Sequence, residues 1–306
     1  MLTQTWAPFW SVIFLGGVML AYAACALFVF KRQKEARRLE PPEKLILLRS
    51  PGETLWERME DLWEEFVHLL LFGGCAALII GLSPVLLIHL FPKANLLMLV
   101  WSGLVLFGVA SIWIIRKMSK LLDERANARL GYFGEQFVAE HLQRVLAGGC
   151  RVYHDVPKGK TGKFGNIDHV VVGPLGAAVV ETKARGKPTD RTEGPVVVGY
   201  DGNRIAWPRC PWDKRTLNQV KRHAQWLRSL ILRECGIAIP VAQIVAIPGW
   251  KVNESTLGQP RVVSGRGVAD AVLQAMNAVG AGRPLSGSEL AKITQVLEKR
   301  CRDVIP

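Results

Sequence analysis

Asp168, Glu181 and Lys183 are the residues of this 306-residue chain whose types and spacing best suit chemistry. They lie in NIDHVVVGPLGAAVVETK, residues 166–183. The runs 167–172 and 177–183 are β-rich, and Gly173-Pro174-Leu175-Gly176 between them signals a hairpin turn. If that turn closes a regular antiparallel hairpin, Val172 pairs with Ala177 and Asp168 falls directly opposite Glu181. Alternation then puts Glu181 and Lys183 on one face, with Asp168 just across the ladder. Two carboxylates facing each other at roughly 5 Å repel and weaken a sheet. A divalent cation held between them turns that cost into a site.

The surroundings narrow the reading. Gly131-Tyr132-Phe133-Gly134-Glu135 opens a helix ahead of the strands, and His154-Asp155 falls on the strand before the pair. Asn166-Ile167-Asp168-His169 then leads to Glu181-Thr182-Lys183. This order resembles the core of the PD-(D/E)xK nucleases and, more narrowly, the NERD (nuclease-related) domain, over roughly residues 127–250. Ile167 stands where the eponymous Pro would be, but that Pro is not a ligand.

The resemblance implies a restriction-endonuclease-like α/β fold, a mixed central sheet flanked by helices. It also implies hydrolysis of phosphodiester bonds with Mg²⁺ or Mn²⁺, and DNA as the expected substrate. Asp168, Glu181 and the backbone carbonyl of Thr182 would ligate the ion. Mg²⁺ keeps several waters in an octahedral oxygen shell, so so sparse a donor set suits it. Lys183 would orient the attacking water and stabilise developing charge rather than abstract a proton. Glu135 matches the acidic residue that related nucleases carry on the first helix. Gln219 matches the first position of a Gln-x-x-x-Tyr element, with His223 in place of the Tyr. His169 points away from Asp168 by alternation, toward packing or hydrogen bonding, and His154-Asp155 reads as a strand end. Trp207, Trp212 and Trp226 are the aromatic residues considered for base stacking. A rival reading of the same domain is a catalytically idle nucleic-acid-binding module that tethers DNA to the membrane.

Charge partitions sharply. Residues 1–125 carry 13 basic and 11 acidic side chains, and residues 126–306 carry 26 and 15, so the second part holds net +11 of the +13. A basic domain suits a polyanion, since phosphate contacts supply most non-specific affinity, although positive charge also suits an anionic inner leaflet. Lys158, Lys160 and Lys163 before Asp168, and Arg185, Lys187 and Arg191 after Lys183, flank the site where a phosphate would lie. That placement favours nucleic acid.

The first part is apolar instead. Stretches 8–30, 66–91 and 95–115 are each long enough to cross a hydrocarbon core, which takes about 20 helical residues. No positive charge precedes the first and no cleavage site is evident, so a signal peptide fits it poorly. Lys31, Arg32, Lys34, Arg37 and Arg38 follow the first stretch and Arg116, Lys117 and Lys120 the third. Three crossings on that pattern leave the N-terminus outside and the domain at 126–306 in the cytoplasm of an inner membrane. A re-entrant hairpin over 66–115 leaves the placement unchanged. The stripe in 53–66 reads as a helical lead-in to the second crossing.

The domain reads as helix 126–146, strand 151–156, the 166–183 pair and a hairpin about Asp201-Gly202-Asn203. Helix 217–234, a buried strand at 241–247 and a last helix at 287–302 follow, the last opened by the capping box Ser286-Gly287-Ser288-Glu289. Gly131 and Gly134 would let the first helix approach the sheet closely. Six cysteines without a Cys-x-x-Cys pair give no disulfide or metal framework.

Overall fold

The computed structural model describes residues 16–17, 21–29, 31–32, 46–86, 95–159, 165–187, 197–208, 212–254, 258–280 and 284–304. The chain divides into two compact units, Met1–Glu43 with Arg58–Asn127 and Lys44–Glu57 with Ala128–Pro306. Residues 44–57, expected in the membrane region, therefore lie in the second unit. The reason is pairing: the strand Ile46–Leu48 (β1) runs antiparallel to Arg302–Val304 (β10), and the Arg49 N–H donates to the Cys301 carbonyl at 2.8 Å.

In the first unit the helices are α1 (Glu53–His68), α2 (Gly74–Leu86) after a π turn at Leu69–Gly73, and the start of α3 (Leu96–Leu142). Glu53–Pro84 and Leu96–Gly148 are helices long and apolar enough to cross a membrane. They contain most of the expected crossings at 66–91 and 95–115, with residues 87–94 outside the described residues. Of the expected crossing at 8–30 only 16–17 and 21–29 are described, as helix. Gly81 and Gly103 bring α2 and α3 together: a Cβ on Gly103 would collide with the Gly81 carbonyl, and one on Gly81 would lie 2.7 Å from Phe107 Cβ. Small residues commonly serve this close approach between membrane helices. Sequence reading divided 95–115 from 126–146, whereas α3 is one helix of 47 residues. Nothing between them breaks a helix, since the intervening Arg116-Lys117-Met118-Ser119-Lys120-Leu121-Leu122-Asp123 holds neither Gly nor Pro.

The second unit is built on a five-stranded mixed sheet. Its strands are β2 (Arg151–Pro157), β3 (Asn166–Gly173), β4 (Gly176–Thr182), β7 (Val241–Ile247) and β9 (Arg261–Ser264), in the order β2-β3-β4-β7-β9. The first three are antiparallel, and β7 and β9 add in parallel. A smaller sheet joins β5 (Val197–Tyr200), β6 (Ile205–Ala206) and β8 (Lys251–Glu254) in the order β6-β5-β8.

β4 is buried along its whole length, so both its faces must be covered. Val170, Val172, Ala177 and Val179 face one core with Leu217, Val220, Ala224, Leu227 and Ile231 of α4 (Arg215–Cys235). Alternating steps of three and four residues are the apolar stripe of a helix laid on a sheet. α6 (Gly287–Cys301) shares this core through Ile293 and Leu297, and Ser286 and Glu289 form its capping box. Val171, Ala178 and Val180 face the opposite core with Val138 and Leu142 of α3 and with α5 (Val268–Val279). Strands β2, β3, β4 and β7 and the capping box follow the sequence reading closely, whereas β1, β8, β9 and β10 were not placed by it, and residue 302 is the start of β10 rather than the end of the last helix.

Candidate active site

The turn at 173–176 closes the hairpin as its sequence requires, with Val172 paired to Ala177 and the ladder running to His169 and Val180. One step further, Asp168 stands opposite Glu181. There the backbone ladder gives way to a side chain: Asp168 Oδ2 accepts the Thr182 N–H at 2.6 Å. On its other edge β4 continues against β7, with Glu181 beside Val245, Thr182 beside Ala246, and the Lys183 N–H donating to the Ala246 carbonyl at 2.9 Å. Glu181 and Lys183 thus follow Ala177 and Val179 on the α4 face, with Asp168 beside them.

Glu135 arrives from α3, where Gly134 lets the helix lie against the end of β4. A Cβ at 134 would come within 2.7 Å of Ala184 Cβ and 3.5 Å of Thr182 Cγ2. Gly131 makes a different contact, against Leu55.

Burial and crowding govern the charges. Burial pushes Glu135 up to about 10, reinforced by the negative charges of Asp168, Asp155 and Glu181 and opposed by the Gly52 backbone N–H. Burial and the facing Glu181 hold Asp168 well above its usual value, against the Thr182 N–H and Lys183. Burial raises Glu181 to about 7, while Lys183, Lys158 and Arg222 pull the other way. Such mutual repulsion in a buried cluster is relieved by a bound cation.

One atom supports that reading directly. Glu181 Oε2 is buried and makes no hydrogen bond. Its neighbour is His223 Nδ1 at 3.4 Å, equally buried and without a hydrogen bond. Burial, Lys158 and Arg222 lower His223 to about 4, so the ring is neutral near pH 7. No three His, Cys, Asp or Glu side chains among the described residues close into a preformed metal cage. Asp168 and Glu181 stand opposite each other at the end of the ladder, with Asp168 held on the Thr182 N–H.

The other expected residues separate. Lys158 lies close enough to Glu181 and Asp168 to feel both charges. Arg185 is engaged elsewhere, over the Trp207 ring at 4.5 Å and 3.4 Å from Asp213 Oδ2. Lys187 is exposed, and Lys160, Lys163 and Arg191 lie outside the described residues. Gln219 is half-buried on α4 and forms no side-chain hydrogen bond among the described residues; His223, one turn later, is the residue that reaches Glu181. Trp207 is buried edge-on to Trp250, and exposed Trp212 carries the Arg204 guanidinium at 3.3 Å.

Two features were not read from the sequence. On the far face His154 Nδ1 lies 2.9 Å from His169 Nδ1, and His169 Nε2 lies 3.1 Å from Thr182 Oγ1. Burial depresses both imidazoles, so both are neutral and one ring donates while the other accepts. Asp155 does not end its strand. It lies inside β2, at the position facing Asp168, with a left-handed φ of 47°. Its carboxylate accepts from the Thr54 N–H at 3.0 Å, the Thr54 hydroxyl at 2.6 Å and Asn166 Nδ2 at 2.8 Å, and Arg49 lies 3.0 Å away.

The mixed sheet flanked by helices, with an acidic pair and a Glu-x-Lys at the ends of its antiparallel strands, is a PD-(D/E)xK-like fold. Residues 130–248 match the family model of the nuclease-related domain, NERD, and the chain carries such a domain. No curated protein and no solved structure matches the chain.

Proposed function

We propose that this protein is a membrane-anchored, divalent-metal-dependent nuclease that hydrolyses the phosphodiester bonds of DNA. The observation that carries the reading is the cluster of buried Glu135 and Glu181 with half-buried Asp168 beside Lys183, in which Glu181 Oε2 makes no hydrogen bond among the described residues. A module that only binds DNA gains nothing from burying acids whose ionisation costs stability, and their negative charge repels phosphate. Asp168, Glu181 and the Thr182 carbonyl would hold Mg²⁺ or Mn²⁺. When bound, the ion supplies a Lewis acid for the phosphoryl oxygen and a water of lowered pKa.

The chain's own residues do the rest. Lys183, on the face of Glu181, positions the attacking water and balances charge on the phosphorane. The Thr182 N–H fixes Asp168, so one carboxylate oxygen stays engaged and the other is presented. Lys158 and Lys187 attract the phosphate backbone, and the excess positive charge of the domain adds salt-dependent affinity. The helices Glu53–Pro84 and Leu96–Gly148 anchor the protein in a bilayer, with the domain in the cytoplasm beside its substrate.

The test is nicking of supercoiled plasmid by the full-length chain in detergent with Mg²⁺, Mn²⁺ or EDTA, beside Asp168→Ala and Lys183→Ala. Metal-dependent nicking lost in both variants is expected. DNA binding without cleavage in either metal would favour the tether.

A further inference from the structure

The segment 49–57 includes the first turns of the long apolar helix Glu53–Pro84, yet it belongs to the nuclease-like unit. Its attachments are specific. Arg49 and Thr54 both reach Asp155 Oδ2, at 3.0 and 2.6 Å, and Asn166 Nδ2 donates to both Thr54 Oγ1, at 2.6 Å, and Asp155 Oδ1, at 2.8 Å. Gln136, next to Glu135, donates to the Pro51 carbonyl at 2.8 Å. Gly52 has φ +72° and lies against the Tyr132 ring, where a Cβ would come within 2.9 Å. Trp56 packs on the same ring with centroids 5.6 Å apart.

The Asp155 carboxylate is therefore engaged on both oxygens. It ties three pieces of chain together at the position facing Asp168: the left-handed kink in β2, the start of β3 two residues before Asp168, and the 49–54 segment.

We propose that Thr54 and Arg49 are positioning residues of the nuclease site, acting through Asp155 and Asn166 on Asp168. The inference rests on the nuclease reading of the acids and adds that the site is completed by a segment some hundred residues earlier in the chain, at the start of the first long apolar helix. The residues touch neither substrate nor ion. Their effect is on the placement of those that do, in the manner of outer-shell partners whose loss costs about 10- to 100-fold in metal affinity or activity.

The experiment uses the full-length chain in detergent. Thr54→Val removes the hydroxyl at nearly constant volume, Thr54→Ser retains it, and Arg49→Gln removes the ion pair while leaving Thr54 intact. Plasmid nicking gives kcat and KM, Mn²⁺ titration followed by electron paramagnetic resonance gives metal affinity, and thermal unfolding reports the fold. The expected result for Thr54→Val is a kcat lower by about 10-fold or more, an unchanged KM for DNA and weaker Mn²⁺ binding, with Thr54→Ser close to wild type. Arg49→Gln shows the same signature at smaller amplitude, and decides the matter if Thr54→Val fails to melt cooperatively. Wild-type kcat and Mn²⁺ affinity in Thr54→Val and Arg49→Gln overturn the proposal, as does a Thr54→Ser that is no better than Val. If the wild-type chain binds Mn²⁺ but cuts nothing, the nuclease reading fails and the Mn²⁺ affinities alone decide the positioning role. A wild-type chain that binds no Mn²⁺ overturns both.

Discussion

On one face of β3 and β4 stand Asp168, Glu181 and Lys183; on the other, displaced by a single residue, stand His169 and Thr182. Both sets are polar and largely buried at the end of the same ladder. The far face resolves its polarity internally, through a His154–His169–Thr182 chain with contacts of 2.9 and 3.1 Å. The near face leaves it open, with three carboxylates raised in pKa and a buried Glu181 oxygen that makes no hydrogen bond among the described residues. Buried polar groups that satisfy one another cross-link a fold, whereas buried groups left unsatisfied cost stability and point to a partner that arrives later.

Substitutions on the near face test that contrast most severely. Asp168→Asn and Glu181→Gln are each expected to slow plasmid nicking by about 10³-fold or more, since each removes a charged ligand. Lys183→Ala should cost about 10²-fold in initial rate. Nicking that survives all three would place the chemistry elsewhere. His223→Ala, which removes the neighbour of Glu181, is expected to cost about 10-fold, with Gln219→Ala smaller. The reverse order would restore Gln219 to the site.

The pH dependence of stability sharpens the same comparison without any substrate. Glu135, Asp168 and Glu181 bind protons more tightly in the folded chain than in the unfolded one. Their stabilising contribution is full below the ordinary carboxylate range and is lost as pH rises, through about 7 for Glu181 and on toward about 10 for Glu135. Metal-free Glu181→Gln should therefore melt above wild type at pH 8, with a gap that shrinks by pH 5. Equal gaps at both values would mean that Glu181 is not strained. The smallest effect on activity belongs to the far face: Thr182→Val keeps the backbone N–H to Asp168 and should lower stability by about 1 kcal/mol while nicking stays near wild type. A collapse of activity in that variant would join the two faces into one functional unit.

Much of the site was legible because it is local. The turn at 173–176 sets the register, and the register alone puts Asp168 across from Glu181. The capping box at Ser286 and the apolar spacing of α4 were equally plain, since neighbours in sequence determine them. What escaped the sequence depends on distant partners. Asp155 looked like the end of a strand because its ligands, Thr54 and Arg49, are some hundred residues earlier, beyond two apolar helices. His223 looked like a mere replacement for Tyr because only the packing of α4 on β4 brings it to Glu181. Arg185 read as a free phosphate contact because Trp207 and Asp213, which occupy it, come later in the chain.

The pairing of Ile46 with Val304 carries a consequence for biosynthesis. Strand β1 leaves the ribosome early, and the strand that completes it is made only after both long apolar helices and the whole sheet. Until then the edge of β1 is unpaired, whereas Asp155, which Thr54 meets, is made far earlier. The unit that carries the acid cluster therefore closes this last pairing only when its C-terminal strand has been made.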